Sequence, residues 1–361
     1  MKNYFTSEST QGISFLHKRV FALLMILALF VSSCSSQNDD LTTDPVVTSK
    51  TTVTLPDTGQ ATSYTSTSGE DADFTINSPS FTDNGDGTVT DNVTGLIWQK
   101  TDGGEMTFEK ASTYCKSLNL SGTNDWRLPT SHELFDINNF DKVNPALNTV
   151  YFTITAAEYW WTSEPRADDA ANVWVVNAGG GIGAHPKAET VSAGGSKRFH
   201  ARAVRNPKSS SVSVDHFKDN GDGTITDNYT GLIWQKIQSS LTMTWEEALV
   251  YSNDLSLAGK TDWRMPNIKE LQSLNDEKLT KPSFNKNFFT NISSGNYWSS
   301  TTMQNSTTKA WDINIDFGIV SYNVKTLKEY VLCVRGGLEI GRACVGKECL
   351  RLCRSRWSPY H

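Results

Sequence analysis

The chain has 361 residues, 37% of them hydrophobic and 11% aromatic, and carries a formal net charge of −6. That length holds two domains of ordinary size, and 11 Trp, 11 Tyr and 16 Phe supply bulk for two compact cores. The acidic balance argues against nucleic acid as a partner, since phosphates demand a basic surface, and against direct adsorption to anionic lipid head groups.

Lys18 and Arg19 precede an apolar run over residues 20–31, which ends in Ser32-Ser33-Cys34. The run is too short to cross a bilayer, which takes about 20 residues, and its basic, apolar, then small-residue order is that of an export signal. Residues 1–33 are therefore predicted to be a lipoprotein signal peptide. Val31-Ser32-Ser33-Cys34 resembles a bacterial lipobox, in which Cys34 would be acylated and become the first residue of the mature chain. The alternative is an ordinary signal peptide with an incidental Cys. Residues 34–73 are rich in Ser, Thr and Asp with hardly a large apolar side chain, so they read as a disordered tether. A lipid on Cys34 and a polar leash imply a membrane partner and a place in the cell envelope, at the outer membrane or the cell surface.

Beyond the tether the chain repeats itself. Asp83-Asn84-Gly85-Asp86-Gly87-Thr88 and Gly95-Leu96-Ile97-Trp98 return as Asp219-Asn220-Gly221-Asp222-Gly223-Thr224 and Gly231-Leu232-Ile233-Trp234. Asp125-Trp126-Arg127 recurs as Asp262-Trp263-Arg264, and Trp161 and Trp174 find counterparts in Trp298 and Trp311. A period of roughly 137 residues is a whole domain, far beyond the 20–50 of solenoid units. Two domains are assigned, residues 74–207 and 208–337. Each opens with β-rich runs broken by Asp-Gly and Thr-Gly, the signature of a hairpin or meander. A helix follows, with Thr107 or Thr244 as its N-cap, and a second begins near Ser131 or Asn267. Strands then resume at residues 159–163 and 174–177 and close at 199–205 or 330–335. Strands, two helices, then strands define an α+β fold with helices on a twisted antiparallel sheet.

Four features offer chemistry. The Asp-Gly-rich turns could hold calcium through Asp86 and Asp91, and through Asp222 and Asp227. An EF-type loop is excluded, because with Gly87 at its sixth position the first and twelfth fall on Thr82 and Val93. The plainer reading is a tight turn in which Asn84, Gly85 and Gly87 take positive φ. The Trp126-Arg127 and Trp263-Arg264 pairs could face a ligand, or the Trp could be core and the Arg pair with a carboxylate. In residues 311–317 strict alternation would turn Ile313, Ile315 and Phe317 to the core, leaving Asp312, Asn314 and Asp316 in one outer row. That row could hold a cation or sugar hydroxyls, or be a solvated strand face. The loose run 178–183 marks where the copies diverge. Finally, Cys115 and Cys333 occur in different repeats.

The series Asp-Gly-Thr-x-x-Asp-x-x-Thr-Gly-Leu-x-Trp, Trp-Arg-Leu/Met-Pro, Tyr-Trp-Ser-Ser and a closing Val-Arg resembles the C-terminal domain of Lcl-type collagen-like proteins. That bacterial family, of largely unassigned function, is related to the C-type-lectin and formylglycine-generating-enzyme-like fold. The resemblance covers residues 81–205 and 217–337. It implies two tandem C-type-lectin-like domains, extracellular adhesion and contact with glycans. In that family a helix Cys can pair with a terminal-strand Cys, whereas each repeat here keeps one half. Cys115 corresponds to Ser252, and Cys333 to Ala203. A Cys115–Cys333 bond, free thiols, or Cys333 with a tail Cys all stay open in an exported chain.

Residues 338–361 form a basic tail with Cys344, Cys349 and Cys353, expected to be disordered and matching no zinc spacing. No Ser/His/Asp set, His-Glu-x-x-His or phosphate loop appears, and no paired thiols of the enzyme relatives lie within one repeat. The reading is a lipid-anchored binding or adhesion protein. Its candidate ligand residues are Trp161, Trp174, Asn177, Trp298, Trp311, Asp312, Asn314 and Asp316, and a glycan is its candidate ligand. A protein-binding envelope scaffold is the alternative, and an enzyme the more distant one.

Overall fold

The computed structural model describes residues 54–190, 198–206 and 215–337; Cys34, the signal peptide and the basic tail lie outside them. The first repeat folds as β1 (Phe81–Asp83), β2 (Thr88–Asp91), β3 (Ile97–Gln99), α1 (Phe108–Ser117), α2 (Ser131–Asp136), β4 (Tyr159–Arg166), β5 (Asp169–Asn177), β6 (Ile182–Pro186), β7 (Phe199–His200) and β8 (Val204–Arg205). The second follows the same order, without a strand at the place of β7, with β9 (Phe217–Asp219), β10 (Thr224–Asp227), β11 (Ile233–Gln235), α3 (Trp245–Asp254), α4 (Ile268–Gln272), β12 (Asn296–Thr302), β13 (Lys309–Asn314), β14 (Ile319–Val324) and β15 (Val334–Arg335). Among the described residues no helix is long and apolar enough to cross a membrane.

Local chemistry sets these elements. Gly85 and Gly87 take φ of 75° and 87° so that the β1–β2 turn can close, while Asn84 acts through its side chain, donating to Thr88 Oγ1 and Thr90 Oγ1. Thr107 caps α1 by accepting from Lys110 N. Helices α2 and α4 each begin with a capping box, Thr130 with Glu133 and Asn267 with Glu270. Those two Glu carboxylates do double duty. Each also takes a bidentate pair from the Arg of the preceding Trp-Arg motif, at 2.7 and 2.6 Å for Arg127 and 2.5 and 2.6 Å for Arg264. Trp126 and Trp263 are buried, so these motifs are scaffold.

The expectation of one sheet per domain does not hold. Each repeat forms a small four-stranded antiparallel sheet, β1-β2-β3-β8 or β9-β10-β11-β15, and lends its remaining strands to a common seven-stranded sheet, ordered β12-β13-β14-β6-β5-β4-β7. Strands β6 and β14 meet at Ile182 and Val320. A free edge at either strand would leave backbone groups seeking partners, and here the two edges satisfy each other. Gly181 permits the approach, because a Cβ there would sit 3.0 Å from Val320 O.

The shared sheet is covered on both faces. Along β5, Val173 and Val175 join one core with Ala111 and Cys115 of α1, while Trp174 and Val176 join another with Leu134 and Phe135 of α2. Along β13 the same alternation sends Ala310 toward Trp245 and Ala248 of α3, and Trp311 and Ile313 toward Leu271 of α4. The core beneath α2 and α4 runs continuously through both repeats, whereas the cores beneath α1 and α3 are separate.

The tether is also shorter than expected, because residues 54–77 are packed. Asp57, Thr58, Gln60, Glu70 and Asp71 are buried, and residues Asp71–Asp73 form a 3-10 turn. The Gln60 side chain donates to Thr302 O at 2.8 Å and accepts from Thr302 N at 3.1 Å, mimicking a strand partner. Asp71 accepts from Thr58 Oγ1 and Thr301 Oγ1 at 2.9 and 2.6 Å, and burial followed by the nearby Asp57 charge holds its carboxyl well above the usual range. Lys269 Nζ, fully buried, donates to Asp57 O and to Asp136 O, both at 2.7 Å. One segment thus fastens β12 of the second repeat, α4, and the end of α2 in the first.

The cleft between the repeats as candidate functional site

Where the two halves of the shared sheet meet, a cleft of about 280 Å³ opens. Its walls are the chain after α2 (Phe140, Asn144), the β5–β6 turn (Asn177, Gly179), and Trp311 and Tyr322 on β13 and β14. Trp311 is the floor. Its ring meets Phe140 edge-on at 5.2 Å from the first repeat and Tyr322 at 5.5 Å from its own. Tyr322 is 38% exposed and Lys309 Nζ lies 4.7 Å from its ring centre. Lys142, Glu158, Gln304 and Asn305 complete a polar rim, and the lining contains no Cys, His or Asp. An aromatic floor with amide and hydroxyl walls suits a neutral, hydroxyl-rich ligand.

The structure unites only part of the predicted ligand set. Asn177 and Trp311, from different repeats, come together here, although the Asn177 side-chain oxygen is engaged by Gly179 N at 2.8 Å and Gly181 N at 3.2 Å. Trp161, Trp174 and Trp298 are buried and line no part of the cleft, whereas Trp311, although only 4% exposed, does. The indoles of Trp161 and Trp298 donate to Met106 O and Met243 O at 2.8 and 3.0 Å. A sheet covered on both faces leaves no outward row for them. For the same reason Asp312 is buried, at 1% exposure, not solvated. Asn314 donates to Asn296 Oδ1 at 2.7 Å, and Asp316 accepts from Ser294 Oγ. Tyr322, Phe140 and Asn144 escaped the sequence reading because each stands outside the repeated motifs, and only the β6–β14 pairing brings them together.

The calcium expectation is not supported at the hairpins. Asp86 Oδ1 accepts from Thr88 N and Thr88 Oγ1, and Asp222 Oδ1 does the same with Thr224. Asp91 accepts from Val93 N and Thr94 Oγ1, and Asp227 from Tyr229 N and Thr230 Oγ1. These carboxylates close their own turns. No group of three or more His, Cys, Asp or Glu among the described residues is arranged to hold a metal ion.

Cys115 and Cys333 are free, and each is buried in a different core. The cross-domain bond is therefore not formed. Burial pushes both thiols up to about 12. Cys333 Sγ lies 3.3 Å from Ser252 Oγ, the position that corresponds to Cys115. Ser252→Cys is expected to form a disulfide with Cys333 and to stabilise the fold by about 2–4 kcal/mol. Thiol titration and melting with and without reductant check this, and two titratable thiols at those positions in the oxidised variant would refute it.

Two buried ionic clusters complete the picture. In the first repeat Asp102 accepts from Thr155 Oγ1 and Trp160 Nε1 at 2.6 and 2.9 Å, and lies 2.8 Å from His200 Nδ1 and 3.6 Å from Arg202 Nη2. Burial alone would raise this carboxyl, but His200, Arg202 and the two hydrogen bonds outweigh it and hold it at about 2. In the second repeat the reverse occurs. Burial and the Glu329 charge push Asp312 up to about 8, and burial pushes Glu329 up to about 7 against hydrogen bonds from Asn323 and Asn296.

A duplicated α+β domain, built from an Asp-Gly-Thr hairpin, two capped helices and three or four strands given to a common sheet, is the class this geometry defines. The family model for the Lcl C-terminal domain matches residues 87–205 and 223–335, and the chain belongs to that family, with the domain present twice. A search of curated proteins returned no match.

Proposed function

We propose that this chain is an exported binding protein, not an enzyme, whose two C-type-lectin-like repeats jointly take a carbohydrate in the cleft at their seam. The observation that carries this reading is the aromatic base of the cleft, in which exposed Tyr322 packs against buried Trp311 and the rim is built of amide side chains. Sugars stack their apolar C–H faces on aromatic rings and give their hydroxyls to amides and carboxylates. Lipid attachment at Cys34 would hold the molecule in the cell envelope with this cleft facing outward.

Tyr322→Ala is expected to lower affinity for the bound glycan at least ~10-fold while leaving the melting temperature nearly unchanged, since the side chain is largely at the surface. A glycan array with wild type and variant, run beside a pull-down from envelope extract, is the measurement. Protein capture without sugar binding would favour an envelope scaffold instead, and sugar binding indifferent to Tyr322 would move the site elsewhere.

A further inference from the structure

Four acceptor oxygens in the second repeat, Asp312 Oδ1 and Oδ2, Asn314 Oδ1 and Glu329 Oε2, are buried and make no hydrogen bond of good geometry, although the Asn323 amide lies near enough to Asp312 to pull its carboxyl down against burial. They lie together. Asp312 and Asn314 point to the same face of β13, two residues apart. On the flanking strands Asn296 stands opposite Asn314, and Asn323 stands opposite Ala310, next to Asp312 on that face. Glu329 Oε1 is reached by Asn296 Nδ2 at 3.4 Å from one flank and by Asn323 Nδ2 at 2.9 Å from the other. A carboxylate held by both neighbours of β13 lies over β13 itself, above Asp312.

Unpaired buried polar groups are costly, and every orphan here is a carboxyl or amide oxygen. Two carboxyl groups side by side need a proton or a cation between them, and no Lys, Arg or His among the described residues supplies positive charge to either. The first repeat shows what the same place looks like when nothing needs to enter. Met106 N donates to Phe199 O as Met243 N donates to Glu329 O, so Phe199 corresponds to Glu329. By the same strand register Tyr159, Val175 and His185 correspond to Asn296, Asp312 and Asn323. There the ring of Tyr159 lies 4.7 Å from His185 and 4.8 Å from Phe199, a packed aromatic plug over buried Val175. Four substitutions exchange that plug for an oxygen-lined pocket. Asn296, Asn314 and Asn323 are half-buried, which leaves a way in from the surface.

We propose that Asp312, Glu329 and Asn314 form a binding site for a hard divalent cation, calcium, in the second repeat only. Two carboxylates balance its charge, the amide oxygen adds a neutral ligand, and water completes the six to eight oxygens calcium takes. The site has fewer than three acidic side chains and leans on an amide, which sets it apart from the hairpin carboxylates and predicts weak affinity, with Kd on the order of 10⁻⁴–10⁻³ M.

The test is calorimetric titration of calcium chloride into the chelator-treated full chain, with melting curves in calcium and in EGTA. Wild type should bind one calcium per chain and melt higher in calcium. Asp312→Asn and Glu329→Gln should each weaken binding at least ~10-fold, with Asp86→Asn as the control that does not. Asn314→Ala, which leaves both carboxylates in place, should weaken it more modestly. An absent heat with identical wild-type melts in calcium and EGTA would overturn the site, as would a calcium response that survives in Asp312→Asn and disappears in Asp86→Asn.

Discussion

A chain that starts at residue 74 is expected to melt ~10 °C or more below one that starts at residue 54, although both contain the two complete family domains. Residues 55–73 supply the partners of Thr301 Oγ1, Thr302 N and O, and one of the two carbonyls that hold buried Lys269. Each buried polar group left unpaired costs about 1–3 kcal/mol. Three or more together give several kcal/mol, and in a chain of this size each shifts melting by about 2–4 °C. Differential scanning calorimetry of the two chains decides the matter, and coincident transitions would show that the segment is merely draped on the surface.

The second large effect is expected at Asp102. Asp102→Ala removes the acceptor for Thr155, Trp160 and His200 and leaves Arg202, fully buried near the rings of Phe152 and Trp160 at 5.2 and 5.6 Å, without its counter-ion and with only the carbonyls of Gln99 and Lys100 as acceptors. Breaking a buried ionic cluster from one side costs about 3–5 kcal/mol, measured by urea denaturation. A loss below about 1 kcal/mol would mean the cluster reorganises around water. The pH dependence has a definite sign. The folded carboxyl, at about 2, is depressed from its usual 3.8, so its contribution is complete above that usual value and is lost as pH falls through about 2. The shift is worth about 2–3 kcal/mol, and the acid limb of the stability curve should flatten in the variant.

What the sequence discloses and what it hides follow from the kind of interaction involved. The hairpins, the Thr107 cap and the inward Trp-Arg pairs depend on neighbours within a few residues, and their motifs carry that information. Residues 54–73 misled because they are buried through hydrogen bonds rather than apolar area: Gln60 imitates a strand and Asp71 pins two threonines, so low hydrophobicity looks like disorder. The candidate Trp residues misled because alternation in β5 and β13 signals two faces without saying whether the second is wet. Both faces are covered, by α1 and α2 on β5 and by α3 and α4 on β13, and the union of β6 with β14, segments more than a hundred residues apart, leaves no mark in the pattern of either strand.

That union has an evolutionary and chemical consequence. Two identical subunits joining edge to edge about a twofold axis must present the same residue at every related position, so any pocket built into one is built into the other. Carrying both halves in a single polypeptide removes this constraint. One half can keep Tyr159, His185 and Phe199 as solid packing while the other places Asn296, Asn323 and Glu329 in the same positions, and the assembly remains one sheet with a single, asymmetric set of sites.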